Sequence, residues 1–179
     1  MLLVILFFAG VILWTFLEYV LHRYLGHWKE GKNPFTVEHL RHHREVHYFA
    51  PFHKKFIAAV AINAILTFGI GLPFGWLNGA AFALGLTSMY LIYELIHKRA
   101  HTHCPLNKYG EWQRKHHFHH HFKDPKSNHG VTSPIWDWVF GTAVIPDVVR
   151  VPKKFMILWL TNESTGEVFP KYASDYIIK

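Results

Sequence analysis

Three stretches of the chain are almost entirely apolar, and polar sequence separates the first from the second. Residues 56–72 contain no charged residue, and residues 1–21 and 79–96 contain one carboxylate each. A membrane-spanning helix needs about 20 apolar residues, with about 17 as a lower limit. The pattern therefore predicts three transmembrane helices. The short PFGWLN segment at 73–78 predicts that the second and third helices form a hairpin.

The basic residues are confined to two regions. All 19 Lys and Arg residues lie in residues 22–55 or after residue 96. Three spans place these two regions on the same side of the membrane, and the positive-inside rule predicts that this side is cytoplasmic. The predicted fold is therefore all-α. It is one membrane-embedded domain over residues 1–179, with three spans and a cytoplasmic helical cap formed by residues 22–55 and 97–142.

Two alternatives compete with this topology. The three apolar stretches can be buried helices of a soluble protein, and residues 1–21 can be a cleaved signal peptide. The signal-peptide interpretation is weakened because this stretch lacks a basic N-terminal region and a small-residue cleavage site.

Histidine is the outlier of the composition, with 16 residues among 179. All sixteen lie in residues 22–55 and 97–129, so we expect them to form one cytoplasmic site. The single cysteine, Cys104, excludes an intrachain disulfide and a cysteine-based zinc knuckle. The formal charge of +7 is compatible with nucleic-acid binding. That function explains neither the apolar stretches nor the histidines, so no nucleic-acid partner is expected.

The spacing of the histidines favours two metal ions. Residues at i and i+4 share a helix face, as His97 and His101 do, whereas adjacent residues diverge by about 100°. The two H-x-x-H-H units, at 39–43 and 117–121, each end in such an adjacent pair. Two diverging neighbours cannot easily bind one metal, but they can reach two metals that lie close together.

The type of ligand narrows the choice of metal site. Imidazole suits Fe, Zn, Cu and Ni. A carboxylate-bridged di-iron bundle needs two Glu-x-x-His motifs, and this chain has only Glu94-Leu-Ile-His97. The ligands are therefore expected to be almost all histidine. His22 and His27 are five residues apart, a poor spacing for one helix face, and Gly26 is expected to end the helix between them.

Two acidic residues lie one turn before a histidine, near the cytoplasmic ends of two spans. Acids at such depth are costly and usually functional. Glu18 is expected to accept the free N–H of His22, and Glu94 that of His97. The alternative is a salt bridge to a neighbouring basic residue, Arg23 or Lys98.

The ordered histidine motifs resemble a known family. HRYLGH at 22–27, HLRHH at 39–43, HKRAH at 97–101 and HFHHH at 117–121 are similar, in the same order, to the motifs of the fatty acid hydroxylase/sterol desaturase superfamily of membrane di-iron oxygenases. The segment NHGVTSPIWDWVFGT at 128–142 is similar to a further motif of that superfamily. The resemblance covers about residues 14–142.

The resemblance implies a ligand set, cofactors and a partner. It implies two iron ions, dioxygen as co-substrate, a lipid substrate, and electrons from a separate protein such as cytochrome b5 or ferredoxin with its reductase. An all-histidine site also binds zinc, so zinc can occupy the site in purified protein even if iron is the working metal. The implied ligands are ten histidines: His22, His27, His39, His42, His43, His97, His101, His117, His120 and His121.

Six histidines fall outside the family pattern, and we interpret them as solvent-facing or as supporting imidazoles. His47 repeats the i, i+4 spacing from His43, and His129 occupies the variable position of the N-x-G motif, near the expected entrance to the metal site. The other four are His53, His103, His116 and His119.

The 128–142 segment is interpreted mainly as scaffold. Ser133 can cap a helix, Pro134 suits a first helical turn, and Gly141 can end the helix. Aromatic residues are enriched at membrane interfaces, which is where we place three of them: Trp136, Trp138 and Phe140.

The function implied by the resemblance is hydroxylation of a lipid C–H bond, with a fatty acyl chain as the expected substrate. Within the superfamily, a sterol or carotenoid hydroxylase or desaturase is the alternative. From another class, a non-catalytic metal-binding or metal-transport membrane protein also fits the histidines. Metal transport needs polar ligands within the spans, where only Asn63, Thr67, Thr87 and Ser88 are available.

Overall fold

The computed structural model describes residues 1–27 and 33–179, and the predicted cytoplasmic positions Lys29 and Lys32 lie outside the described residues. Helix α1 (Leu2–Val20) continues into a π-helical turn (Leu21–Gly26). Then follow α2 (Pro34–Arg44), α3 (Phe52–Phe74), α4 (Trp76–Thr102), α5 (Lys108–Phe122) and α6 (Ile135–Val139). The prediction of a mainly helical fold is confirmed.

Three helical segments are long and apolar enough to cross a membrane: Leu2–Gly26, Phe52–Phe74 and Trp76–Thr102. They coincide with the three predicted spans, but all three are longer than predicted. The predicted turn at 73–78 is reduced to Gly75, whose φ of 98° lies in the region that favours glycine.

Helix α4 is the centre of the membrane region, because both α1 and α3 pack along it. Gly10 on α1 lies directly against the backbone of Phe82, and Gly85 on α4 lies directly against the backbone of Phe7. A side chain at either position would overlap that backbone. Small residues of this kind let two membrane helices approach closely.

The C-terminal part of the chain, for which the sequence suggested no role, supports α5. Strands β1 (Val149–Val151) and β2 (Tyr176–Ile178) form a small parallel sheet, and two 3-10 turns lie at Lys153–Phe155 and Pro170–Tyr172. Apolar side chains of these elements and of the loop between them form a core with Phe118 of α5: Val149, Val151, Ile157, Leu160, Tyr172 and Tyr176. Since α5 carries one H-x-x-H-H unit, this core fixes the position of that unit.

Helices α4 and α5 are also joined at their polar ends. Arg114 donates from Nη2 to the carbonyl oxygens of Arg99 (2.9 Å) and His103 (2.8 Å). The Arg99 carbonyl also accepts the backbone N–H of His103, and the His103 carbonyl lies just beyond the last helical residue, where a helix leaves carbonyls without intrahelical partners. Trp159 donates its indole N–H to the carbonyl of Ala100 at 2.9 Å. The end of α4 is thereby held next to α5.

Candidate metal centre

The ten histidines implied by the family motifs converge in two groups of five. Within each group, one ring nitrogen per residue lies within 4.8 Å of all the others. We name the first the loop-side group, because a loop orients part of it: His22, His27, His39, His43 and His120. The second is the helix-side group, because four of its members lie on α4 and α5: His42, His97, His101, His117 and His121.

Each H-x-x-H-H unit contributes to both groups. The adjacent pair His42 and His43 is divided between them, and so is the adjacent pair His120 and His121. This follows from the divergence of about 100° between neighbouring helical residues. The i, i+4 pairs stay together, whereas the i, i+3 pairs at 39/42 and 117/120 are divided.

A π-helical turn brings His22 and His27 into the same group. The turn covers Leu21–Gly26, and the two rings lie 5.6 Å apart between centroids. A π-helix hydrogen-bonds residues five apart, so a spacing of five suits it although it is poor for an α-helix. The helical segment ends at Gly26, as predicted. The widened turn before Gly26 was not predicted.

Backbone carbonyls orient three of the ten rings. His22 Nδ1 donates to the carbonyl of His129 at 2.5 Å, and His120 Nδ1 donates to that of Ser127 at 2.7 Å. His42 Nδ1 donates to the carbonyl of Tyr48 at 2.7 Å. A donated Nδ1–H leaves Nε2 as the free lone pair of a neutral imidazole. In all three residues Nε2 therefore carries a lone pair available to a metal.

Ring nitrogens meet in the interior of each group. His27 Nε2 lies 2.9 Å from the Nε2 atoms of both His39 and His120. In the other group, His101 Nε2 and His117 Nε2 are 3.0 Å apart. Several further buried ring nitrogens have no hydrogen-bond partner, among them Nε2 of His22, His42, His43 and His97. Buried nitrogens without a partner are costly unless something binds them.

The interior of the centre favours neutral imidazoles. Burial lowers the pKa of both His27 and His42 to about 4. Burial, reinforced by neighbouring histidines, holds the pKa of His120 and His121 well below the usual value. A histidine must be neutral to bind a metal, so the residues are in the required protonation state near pH 7.

Glu18 does not accept from His22, which corrects the prediction. Its carboxylate accepts from the backbone N–H of Val131, from the N–H of Thr132 (2.8 Å) and from the Thr132 hydroxyl (2.6 Å). The alternative pairing with Arg23 is also wrong, because Arg23 donates to the hydroxyl of Tyr19. The reason is that the 127–133 loop packs on α1 and offers Glu18 three donors.

Glu94 does not accept from His97 and does not pair with Lys98. It forms an ion pair with Lys55, which lies on the neighbouring helix α3. The prediction that Glu94 forms a salt bridge is therefore confirmed, but the predicted partner, Lys98, is wrong. The observed partner, Lys55, lies 39 positions away in sequence. Pairing within one helix was the only option visible in the sequence.

Asp137 is the central residue of the 128–142 segment, and the sequence analysis did not single it out. Its buried carboxylate accepts from the N–H groups of His129 (2.8 Å) and Gly130 (2.7 Å) and from the Thr142 hydroxyl (2.7 Å). Burial opposes its ionisation, but these bonds and the nearby His116 ring lower its pKa below the usual value. Its position in the W-D part of the motif was the available signal.

Asn128 completes the support of this loop. Its φ of 56° is unusual for a residue with a side chain. Its amide group donates to the carbonyl of Val144 (2.9 Å) and accepts from the Val144 N–H (2.7 Å). The 128–142 segment therefore acts as a scaffold for the metal centre. It holds the loop whose carbonyls orient His22 and His120. Helix α6 itself is short, and Ser133 Oγ accepts from the Ile135 N–H at 3.3 Å.

The six histidines outside the pattern divide by burial. His47, His53 and His103 are exposed. His116, His119 and His129 are buried. His129 lies closest to the centre, with its ring centroid 5.3 Å from that of His120 and its carbonyl on His22. His116 Nε2 is 3.5 Å from the Asp137 carboxylate.

A cavity of about 450 Å³ lies beneath the centre, between α1, α3 and α4. Four histidines line it at the upper end: His22 and His39 of the loop-side group, and His42 and His97 of the helix-side group. Both groups therefore border the same space. The deeper lining is mainly apolar and aromatic, with Trp14, Ala59, Ile62, Leu86 and Tyr90. At the deep end, the Thr87 hydroxyl donates to the Asn63 side chain at 2.5 Å.

Comparison with known proteins identifies relatives of the same kind. The family model described as "Fatty acid hydroxylase" matches residues 7–142. The "Fatty acid 2-hydroxylase" of Mus musculus is 32% identical over 152 aligned residues, and the match covers 78% of this chain and 39% of the mouse protein. The "Ceramide very long chain fatty acid hydroxylase SCS7" of Saccharomyces cerevisiae is 36% identical over 161 residues, covering 84% of this chain and 41% of the yeast protein.

A plant relative and a solved structure agree with these matches. The "Dihydroceramide fatty acyl 2-hydroxylase FAH1" of Arabidopsis thaliana is 30% identical over 154 aligned residues, and the match covers 81% of this chain and 62% of the plant protein. A structure titled "Full length scs7p (only hydroxylase domain visible)" superposes with a TM-score of 0.60 at 29% identity, covering 80% of this chain and 57% of that chain. The chain spans about two-fifths of the length of the mouse and yeast relatives.

Proposed function

Because this chain belongs to the fatty acid hydroxylase family, we propose that it is a membrane-bound oxygenase that hydroxylates a fatty acyl chain of a lipid. The observation that carries this proposal is the position of the cavity. An apolar space between three apolar helices ends at two groups of histidines. A lipid chain can lie in this space with one of its carbon atoms beneath both groups.

We further propose that the ten histidines hold two iron ions, one in each group. The fit rests on the buried ring nitrogens that have no other partner and on the lowered histidine pKa values. Each group offers five nitrogens, one more than the four protein ligands of a structural zinc site. This supports iron over zinc as the working metal. Bound iron would activate dioxygen, so that one oxygen atom enters a C–H bond and two electrons and two protons reduce the other to water.

The residues of this chain supply positioning in that reaction. The histidines that roof the cavity face the substrate, and the carbonyls of residues 127 and 129 keep the lone pairs of His120 and His22 available to the metal. The apolar lining excludes water from the reacting carbon and aligns the chain. No side chain is assigned a proton-transfer role.

Electrons must come from a donor on the side of the membrane where the histidines lie. The distribution of Lys and Arg supports the cytoplasmic side. A separate protein such as cytochrome b5, or ferredoxin with its reductase, would dock there. The excess of basic residues on this face favours an acidic partner.

The alternatives are less well supported. Metal transport needs ligands along the spans, but Asn63 and Thr87, two of the candidate polar residues there, are bonded to each other. The relatives named above are fatty acid or fatty acyl hydroxylases.

Metal content tests the proposal first. Purified protein should contain about two metal ions per chain by elemental analysis. A variant with His120→Ala and His121→Ala removes one ligand from each group and should lose most of this metal. His53→Ala with His103→Ala, two exposed histidines outside the groups, is the matched control and should keep both ions. No stoichiometric metal in the wild type, with the first variant unchanged, would contradict the proposal.

Activity is the second test. Protein loaded with iron without oxygen, then given oxygen and a reductant in lipid bilayers, should produce acyl chains with one added oxygen atom, detected by mass spectrometry. The control variant should do the same. Two bound ions without any oxidised lipid would support the two-metal centre and contradict the proposed reaction.

A further inference from the structure

An ion pair lines the cavity just below the histidines. Lys55 of α3 and Glu94 of α4 face each other across the wall, and their side chains are 26% and 27% exposed. Glu94 lies three residues before His97, so it is about 4.5 Å deeper along α4. The pair therefore occupies the first layer of the cavity that a substrate meets beneath the metal centre.

The ammonium group of Lys55 has hydrogen-bond donors that its ion pair with Glu94 does not use. An ammonium group has three donors, and the structure assigns one of them, to Glu94 Oε2. Side chains around it are mainly apolar, such as Ala58 and Ala59 on the same helix. Its charge lies near enough to His42 to contribute to the lowered pKa of that residue, after burial. Lys55 also lines the same cavity as His42 and His97, so its remaining donors lie near the metal centre.

The proposed reaction requires such a donor. The mouse and plant relatives are named 2-hydroxylases, for a reaction at the carbon next to the acyl carbonyl. If this chain acts at the same carbon, the carbonyl oxygen must enter the cavity together with the reacting carbon. A buried carbonyl without a hydrogen bond is costly, so a donor within a few ångströms of the histidines would both bind the substrate and select the carbon.

We propose that Lys55 anchors the acyl substrate by donating a hydrogen bond to its carbonyl oxygen, with the hydrocarbon chain extending down the cavity towards Asn63 and Thr87. This inference rests on the function proposed above. Glu94 holds Lys55 in place and already neutralises its charge. A second carboxylate would meet Glu94 and also Glu38 on the cavity wall. The site therefore prefers an acyl group in a neutral linkage, such as an amide or ester, over a free fatty acid.

Binding without turnover tests this anchor. Protein in lipid nanodiscs, with empty nanodiscs as the blank and equal metal content verified, is equilibrated with radiolabelled N-methyl palmitamide, palmitic acid or hexadecane. The wild type should bind the amide about tenfold more tightly than hexadecane, which corresponds to one hydrogen bond to a charged group. Lys55→Met should abolish this preference and leave hexadecane binding unchanged.

Two further variants make the test specific. Lys54→Met is the matched control. Lys54 is the neighbouring lysine and also forms an ion pair with a glutamate, Glu38. Its side chain differs from that of Lys55 in being 57% exposed, at the edge of the cavity. This variant should keep the preference within about twofold. Glu94→Gln should raise the affinity for palmitic acid relative to the amide, because the competing carboxylate is gone.

The outcomes separate the anchor from the proposed function. An unchanged preference in Lys55→Met, or equal losses in Lys55→Met and Lys54→Met, would overturn the anchor. If Lys55→Met also weakens hexadecane binding, Lys55→Arg decides: a retained preference supports the anchor and a lost one overturns it. Failure of all three ligands to bind the wild type would instead overturn the acyl-binding function, and the anchor with it.

Discussion

The two histidine groups are built in different ways. The helix-side group takes four of its five members from α4 and α5, where the i, i+4 spacing places each pair on one face. The loop-side group collects its members from the π-helical turn, the residue after it, α2 and α5. Two of its rings depend on carbonyls of the 127–129 loop.

The difference concerns what holds each group in place. Helical hydrogen bonds and the core under α5 support the helix-side group. The loop-side group depends on a loop held by the carboxylates of Glu18 and Asp137. Substitution of Glu18 or Asp137 should therefore weaken the loop-side group and leave the helix-side group intact.

The largest effect is expected for Asp137→Ala. It leaves two backbone N–H groups and one hydroxyl buried without an acceptor, which should cost about 3–5 kcal/mol of unfolding free energy. The protein that remains folded should lose the loop-side ion and keep the helix-side ion. Thermal unfolding and elemental analysis measure the two effects. Asp147→Ala, at an exposed position, is the matched control, and loss of both ions together would show that the groups do not differ in support.

Acidification should destabilise the metal-free protein through buried histidines of both groups, and His42 of the helix-side group allows the effect of one residue to be measured. The pKa of His42 is lowered to about 4 in the folded state, against about 6.5 in an unfolded chain. The unfolded state thus binds more protons between these values, and stability falls as the pH drops from about 6.5 to about 4. The effect of this one buried residue is about 3 kcal/mol. His42→Gln should flatten the dependence of the unfolding temperature on pH, and an equal slope in both proteins would contradict this.

Glu18→Gln should have a smaller effect than Asp137→Ala. The amide oxygen can still accept from the loop N–H groups, but the charge that strengthens these bonds is lost. We expect about 1–2 kcal/mol of destabilisation and a loop-side metal affinity lowered about tenfold. Competition with a chelator would measure each ion's affinity. A helix-side affinity lowered by the same factor would argue against a selective role of Glu18.

The smallest effect is expected for His47→Ala. His47 is exposed and its Nε2 donates to the carbonyl of Met156 at 3.1 Å, outside both groups. The unfolding free energy should change by less than about 0.5 kcal/mol, with both ions retained. Loss of either ion would make His47 a participant in the centre, as its spacing from His43 once suggested.

The same contrast explains how far the sequence could predict the molecule. Hydropathy predicts the three apolar helices, and helical periodicity predicts that His97 pairs with His101. The partners of Glu18 cannot be predicted in this way, because they lie 113 and 114 residues away. The ion pair of Lys55 with Glu94 depends likewise on how α3 packs against α4.

The π-helical turn also escapes prediction, because the spacing of five between His22 and His27 is equally compatible with a helix that simply ends at Gly26. Its effect is visible only once His22 and His27 are found in one group. The C-terminal sheet is similar: its strands are three residues long, too short for a reliable periodic pattern.

The π-helical turn at Leu21–Gly26 makes this part of the chain intolerant of an inserted residue. One extra residue there would put six positions between His22 and His27 and rotate the residues that follow by about 100° around the helix axis. His27 would then face away from His22. An engineer inserting a tag or a splice junction should therefore place it elsewhere, for example in the exposed turn at residues 163–165.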